Sequence, residues 1–383
     1  MAGPLSGVKV VELAGIGPGP MCAMLLADLG ATVLRIDRKE DAALGIRKPL
    51  PYNTLLRNRY PVAMDLKDPQ AIAAVLTLVS RADVLIEGFR PGVVERLGLG
   101  PQACLGLQPK LVYGRITGWG QNGPLAQRAG HDINYLALSG LLEAIGRADG
   151  PPAVPLNVVG DFAGGSLYLA LGILAGVLHV RAGGTGQVVD AAIVDGAAHL
   201  ASTFYGMLAA GLWQTQRGQN LLDSGAPYYD SYVCRDGRYV SVGPLEPKFY
   251  AQLLALLGLD AKELPPQDDR AGWPVIRAAL AGAFARKTRD EWAVLLEPTD
   301  ACATSVLSFT EAPLHPHLKA RQTFVNIEGV VQPSPAPRFS QTVPATPFGP
   351  RAATAQNARL GLTPWLSESE LKDWIQQGLV DSS

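Results

Sequence analysis

The strongest constraint on this chain is a strand–helix alternation that fills its first 120 residues. Short apolar runs of strand character occur at Lys9–Leu13, Thr32–Ile36, Val62–Asp65, Val84–Glu87 and Leu111–Ile116. Between most of them lie helix-length stretches such as Met21–Leu29 and Pro69–Val79. Runs of this kind and spacing join into βαβ units, in which the strands pair in parallel and helices cover the sheet. Asp68-Pro69 marks one helix start, because an aspartate caps free N–H groups and a proline in the first turn has no N–H to lose. After the break at Gly183-Gly184-Thr185-Gly186, Gln187–Ala191 reads as a further strand. The expectation is an α/β fold with a parallel sheet in a large domain spanning residues 1–190.

From Ala226 onward the pattern changes. Tyr228–Val233 and Arg238–Val242 flank Cys234-Arg235-Asp236-Gly237, which reads as an antiparallel hairpin with Asp-Gly at its turn. Helical stretches follow at Pro247–Leu257, Trp273–Ala285 and Arg289–Leu296, giving a smaller α+β domain over 226–330, reached through linker helices at 191–225. A proline-rich run from Gln332 to Pro350 reads as an extended linker, and a last helix near Ser367–Gln377 returns to the large domain, completing a segment 331–383. At 383 residues the chain exceeds what one hydrophobic core supports, in keeping with two domains.

Charge narrows the function. Thirty-three Lys+Arg against 34 Asp+Glu leave a formal charge of −1, which argues against a nucleic-acid coat, an acidic tail or disorder. Four cysteines, Cys22, Cys104, Cys234 and Cys302, are too widely spaced for CxxC pairs, so free thiols in a reducing, cytoplasmic setting are expected. Phe162–Val180 runs nineteen residues without a charge. Its glycines favour a packed core helix over a membrane span.

Several segments carry candidate chemistry. Ala14-Gly15-Ile16-Gly17-Pro18-Gly19-Pro20 follows a strand and opens a helix, as a dinucleotide loop does, but Pro20 stands where the third glycine is needed. A tight structural turn fits the same residues. Arg38, Lys67 and Arg90 follow the second, third and fourth strands, and such strand ends are where parallel sheets hold ligands, phosphates among them. His179 and His199 read as packed core residues. His315 and His317 flank Pro316 without a third ligand, so no metal is expected. His131 differs: it stands at a helix start in Gly130-His131-Asp132-Ile133-Asn134-Tyr135, where free N–H groups stabilise developing negative charge and an imidazole exchanges a proton near neutrality. Asp161 and Glu246 each precede a helix. From the residues alone, either is a capping group or a functional carboxylate.

These segments together resemble the α-methylacyl-CoA racemases of the family III CoA-transferase superfamily. The resemblance runs through Val11-Glu12-Leu13, Leu26-Ala27-Asp28-Leu29-Gly30-Ala31, Arg35-Ile36-Asp37-Arg38, Met64-Asp65-Leu66-Lys67, Phe89-Arg90-Pro91-Gly92-Val93, Gly130 to Tyr135, Asp161-Phe162-Ala163-Gly164-Gly165, Arg217-Gly218-Gln219-Asn220 and Glu246-Pro247. The resemblance implies a Rossmann-like large domain and an interlocked homodimer with sites shared between subunits. It implies that Arg38, Met64, Asp65, Leu66, Lys67, Arg90, Gly130, Asp132, Ile133, Asn134 and Tyr135 hold the coenzyme A thioester. His131 and Asp161 would be the proton-exchanging pair, with Glu246 supporting His131. Coenzyme A would be part of the substrate, with no separate cofactor, nucleic acid or membrane. The alternative within the superfamily is a CoA-transferase with Asp161 as nucleophile and no use for His131. Residues Ala42–Leu56, including Pro49, Pro51 and Tyr52, match no motif of the family, so the resemblance does not fix which acyl chain is accepted.

Overall fold

The computed structural model describes residues 3–40 and 45–380. Six strands, β1 (Lys9–Leu13), β2 (Thr32–Asp37), β3 (Tyr60–Ala63), β4 (Val84–Glu87), β5 (Val112–Thr117) and β6 (Gln187–Ala192), form one all-parallel sheet in the order β3-β2-β1-β4-β5-β6. This is the α/β architecture expected. The strand order reverses between β1 and β4, and in open sheets of this order the crevice beyond the strand carboxyl ends at that point is the ligand site.

The central strands β1 and β4 are largely apolar on both sides because both faces are covered. Val10 and Val11 are each fully buried, yet they point to opposite faces. Over one face lie α1 (Pro18–Asp28) and, later in the chain, α6 (Tyr168–Arg181). Over the other lie α2 (Pro69–Val79), α4 (Pro101–Leu107), and the last helices α13 (Ala355–Leu362) and α14 (Glu368–Gln376), which contribute Leu362 and Trp374 to that core. Asp68 caps α2 as expected, its Oδ1 accepting from Gln70 N at 2.9 Å.

Boundaries shift where long-range contacts outweigh local preference. β3 begins two residues before the expected Val62, because Arg59 is pulled into the core by Glu12 at 2.6 Å, both residues fully buried. Pro61 is tolerated there because β3 is an edge strand. Helix α1 starts at Pro18, three residues before the expected Met21, with Pro18 and Pro20 in its first turn.

The chain divides into two compact units, one built from residues 1–139, 156–200 and 320–383, the other from 140–155 and 201–319. The expected boundaries at 190, 225 and 330 rest on local texture, whereas these units are assembled from segments distant in sequence. The first unit also holds the short α3 (Val93–Arg96), α5 (Asp132–Leu138), a π-helix (Val158–Leu167), α7 (Ile193–Leu200) and the hairpin β10 (Phe324–Ile327) and β11 (Val330–Pro333). Arg57 ties that hairpin to α1, pairing with Asp28 and donating to Gln332 Oε1 at 2.9 Å and Pro333 O at 2.8 Å.

The second unit holds α8 (Ser202–Ala209) and carries an antiparallel sheet of β7 (Asp230–Val233), β8 (Tyr239–Val242) and β9 (Ala303–Ser305). Against it pack α9 (Pro247–Leu257), α10 (Trp273–Phe284) and α11 (Arg289–Leu296), and the chain leaves through α12 (Pro316–Ala320). Cys234 to Gly237 form the turn between β7 and β8, with Gly237 at φ +76°.

Candidate active site

Two helix starts meet beyond the sheet's carboxyl edge. His131 is the N-cap of α5, with its imidazole exposed, and its backbone N–H donates to Asn134 Oδ1 at 3.0 Å. Asp132 N and Ile133 N, the first donors of the helix, have no acceptor among the described residues. Helices leave such groups open at their N-termini, where negative charge is favoured. The side chain of Asp132 turns away from its own helix and crosses to the π-helix, where its Oδ1 accepts the Asp161 N–H at 2.6 Å. His131 and Asp161, thirty residues apart, are thereby brought to one place.

Asp161 is not a helix cap, which corrects that reading. Asn157 is the N-cap, and Asp161 lies one turn inside the π-helix. Long π-helices are rare and occur at functional sites because they widen the turn. Here the widening accompanies a close crossing: a Cβ on Gly196 of α7 would stand 1.8 Å from Gly164 O, so only glycine lets the two helices meet. Ser166 Oγ fastens the turn by donating to Pro18 O at 2.9 Å and Asp161 O at 3.1 Å.

The Asp161 carboxylate accepts from Asn157 Nδ2 at 3.2 Å, and its Oδ2 would be 3.3 Å from a Cβ on Gly17. The loop Ala14–Gly17 therefore borders the carboxyl group of Asp161. Burial pushes the Asp161 carboxyl above the ordinary carboxylate range. The Asn157 hydrogen bond opposes the rise, the charge of Asp132 adds to it, and His131 opposes it. Burial likewise raises Asp132 against the backbone N–H groups of Asp161 and Gly160. Tyr135 donates to Gly130 O and packs edge-on against Trp119, and burial together with the charges of Asp161 and Asp132 pushes its phenol up to about 12.

A second cluster forms where β2, β3 and β4 end. Arg38, Met64, Asp65, Leu66, Lys67, Phe89, Val93 and Leu97 line a cleft of about 470 Å³. The Arg38 guanidinium lies 5.7 Å from the centre of the Phe89 ring. Asp65 Oδ1 accepts from Lys67 N at 3.0 Å, which shapes the turn. Glu87 Oε2 accepts from Phe89 N at 2.7 Å, while Arg115 bridges Glu87 and Glu95, so this loop is fixed from beneath. Exposed Arg90 extends from the same loop, and its charge acts on Tyr135. Arg38, Met64 to Lys67 and Arg90 thus gather at one sheet edge, with Gly130 to Tyr135 beyond β5.

The remaining candidates lie elsewhere. Glu246 belongs to the second unit, where it is exposed at the N-cap position of α9 without making a capping hydrogen bond through its side chain. His179 and His199 are exposed, which corrects the core reading: α6 and α7 bury one face only, and these residues stand on the other. His199 Nδ1 is 2.6 Å from Tyr168 Oη. His315 pairs with Glu297 at 3.1 Å. Of the unmatched stretch Ala42–Leu56, residues 42–44 lie outside the described residues; Gly45 lies against Ile16 of the loop beside Asp161.

Two contributors escaped the sequence reading. Asn157 stands four residues before Asp161, a helical spacing at which an amide and a carboxylate meet. The part of Glu87 depends on contacts across the fold and left no local signal.

The profile of CoA-transferase family III matches residues 5–355. Over 348 residues the chain is 46% identical to the alpha-methylacyl-CoA racemase of Mus musculus, covering 91% of this chain and 89% of that protein. The Homo sapiens alpha-methylacyl-CoA racemase is likewise 46% identical over 344 residues, covering 90% and 88%. The crystal structure of a CAIB/BAIF family protein from Brucella suis superposes with a TM-score of 0.80 over 97% of this chain and all of that one, at 24% identity.

Proposed function

The chain belongs to CoA-transferase family III, and from that premise we propose that it is a racemase interconverting (R)- and (S)-2-methylacyl-CoA thioesters. The observation that carries the proposal is the tie between Asp132 and Asp161, which joins a histidine-capped helix start to a second proton carrier. Inverting a carbon that bears one proton requires removal from one face and delivery to the other. In one direction neutral His131 takes the α-proton, so the C–H bond breaks and an N–H bond forms. The electron pair moves onto the thioester oxygen as an enolate. Asp161, protonated, then gives its proton to the opposite face of the α-carbon and is left as carboxylate. The reverse direction exchanges the two roles.

The enolate oxygen needs donors already in place, and one such donor contributes roughly 3–4 kcal/mol. The open N–H groups of Asp132 and Ile133 supply them. The raised pKa of Asp161 suits a group that must hold a proton for delivery. The alternative, in which Asp161 attacks an acyl-CoA as a nucleophile, has no use for His131.

In this reading Arg38, Met64, Asp65, Leu66, Lys67 and Arg90 hold the coenzyme A portion, and Gly130, Asp132, Ile133, Asn134 and Tyr135 hold the thioester end. The cleft beside Arg38 and Lys67 has the positive charge that phosphates require. The protein acts as a homodimer, with Glu246 of one subunit beside His131 of the other. Supporting this, Leu167, Leu171 and Leu178 form an exposed apolar stripe along one helix face, each more than half exposed. Such stripes mark interfaces. Val158–Arg181 is also long and apolar enough to cross a bilayer, but α6 packs against β5 and β6, consistent with a core helix in a protein that works without a membrane. Buried free thiols at Cys22, Cys104 and Cys234 suit a cytoplasmic enzyme of fatty-acid metabolism.

The test is incubation of a single-enantiomer 2-methylacyl-CoA in heavy water without an acceptor acid. Deuterium at the α-carbon with loss of optical purity supports the racemase. CoA transfer to an added carboxylate without exchange overturns it.

A further inference from the structure

We infer that the side-chain carboxylate of Asp132 is the positioning group that sets the second proton carrier relative to the enolate donors, through its hydrogen bond to the backbone of Asp161. The inference rests on the racemase reading and deepens it. Asp132 occupies the first helical position of α5, where an acidic side chain would ordinarily serve its own helix. Instead Oδ1 accepts the Asp161 N–H at 2.6 Å, and the Gly160 N–H faces the same carboxylate. The residue is buried, and Oδ2 has no partner among the described residues. A buried carboxylate with an idle oxygen is unfavourable for folding, so stability alone does not account for an aspartate at this position.

That role follows from connectivity. The backbone N–H of Asp132 is one of the two open donors at the start of α5, and its carboxylate reaches the peptide that carries the Asp161 side chain. One short side chain therefore spans the gap between enolate donor and proton carrier. Because Oδ1 alone takes the hydrogen bond, the device requires an acceptor oxygen and not a negative charge.

Two variants separate these requirements. Asp132→Ala removes the acceptor and is expected to lower kcat about 100-fold, the effect of roughly 1 Å of misplacement, with KM for the acyl-CoA changed less than about 3-fold. Asp132→Asn keeps an oxygen at the Oδ1 position and should restore kcat to within about 10-fold of the parent enzyme. Full activity in Asp132→Ala overturns the inference. So does an Asp132→Asn enzyme as impaired as the alanine variant, since charge would then be the requirement. A parallel rise in KM and fall in kcat, which general loosening of the fold produces, also counts against it.

A further measurement needs no variant. In the unmutated protein the Gly160 and Asp161 amide hydrogens should be protected from exchange with heavy water, and exchange at the rate of open loop amides overturns the tie. Failure of the unmutated protein to exchange the substrate α-proton would sink the racemase reading instead, and leaves the amide result to decide the tie by itself.

Discussion

Gly160→Ala tests the site geometry most sharply, because the crossing at this residue leaves no room for a methyl group. An ideal Cβ on Gly160 would lie 2.4 Å from Asp132 Oδ1 and 2.9 Å from its Cγ, whereas ordinary contact begins near 3.4 Å. The two backbones must part by about 1 Å, since the surroundings are packed too densely to absorb the atom. Asp132 is buried and bonded to the Asp161 backbone, so it cannot swing aside without releasing that bond. A misplacement of this size lowers kcat about 100-fold, equivalent to about 2.7 kcal/mol of transition-state stabilisation. The overpacking itself should destabilise the fold by about 1–3 kcal/mol. The assay is deuterium entry at the α-carbon of a single-enantiomer 2-methylacyl-CoA, followed with substrate concentration so that kcat and KM separate. Thermal unfolding is measured in parallel. Gly106→Ala, in α4 with open space around the new methyl, is the control: it should leave the rate unchanged and raise stability by about 0.5–1 kcal/mol. A folded Gly160→Ala enzyme with undiminished kcat would refute the reasoning.

Three other expectations follow from the same structure. His131→Ala and Asp161→Ala should each reduce racemisation by about 10²–10⁴-fold, the usual worth of a general acid or base, while acyl-CoA affinity measured by calorimetry stays within a few-fold. Near-parental turnover in either variant would remove that residue from the proton path. Arg59→Met strands the Glu12 carboxylate in the core and should lower stability by about 3–5 kcal/mol in urea unfolding, and adding Glu12→Leu should recover much of the loss. Equal stability of Arg59→Met and the parent protein would contradict the buried pair. Asp161→Asn should change the pH dependence of stability. Burial raises the folded-state pKa of Asp161 above its ordinary 3.8, so ionising it weakens the fold: its stability contribution is present at acid pH and lost as pH rises through the raised value. The asparagine variant should therefore melt higher than the parent near pH 8, the advantage vanishing toward pH 4 and below. An advantage that grows on acidification would reverse the sign and refute the assignment.

Locally encoded features of this protein were legible in its residues. Strands β1 and β4 and helices α2, α9 and α11 fall where apolar runs, Asp68-Pro69 and Glu246-Pro247 put them, because these signals act within a few residues. His131 at a helix start was equally legible, since a cap is a local arrangement. The resemblance then connected segments that no spacing argument relates.

Packing across the chain decided the rest. Glu12 and Arg59 are 47 residues apart, and their mutual burial anchors the chain just before the early start of β3. Asp161 looked like a cap because a carboxylate before an apolar run usually is one. The fold instead widens that segment into a π-helix, where Gly164 meets Gly196 and Asp132 takes the Asp161 N–H. Sequence order holds the identity of His131 and Asp161, the two proton carriers of the proposed reaction. Their distance is set by contacts between residues some thirty positions apart, whose worth depends on solvent exclusion and close approach, and neither exists until the chain has folded.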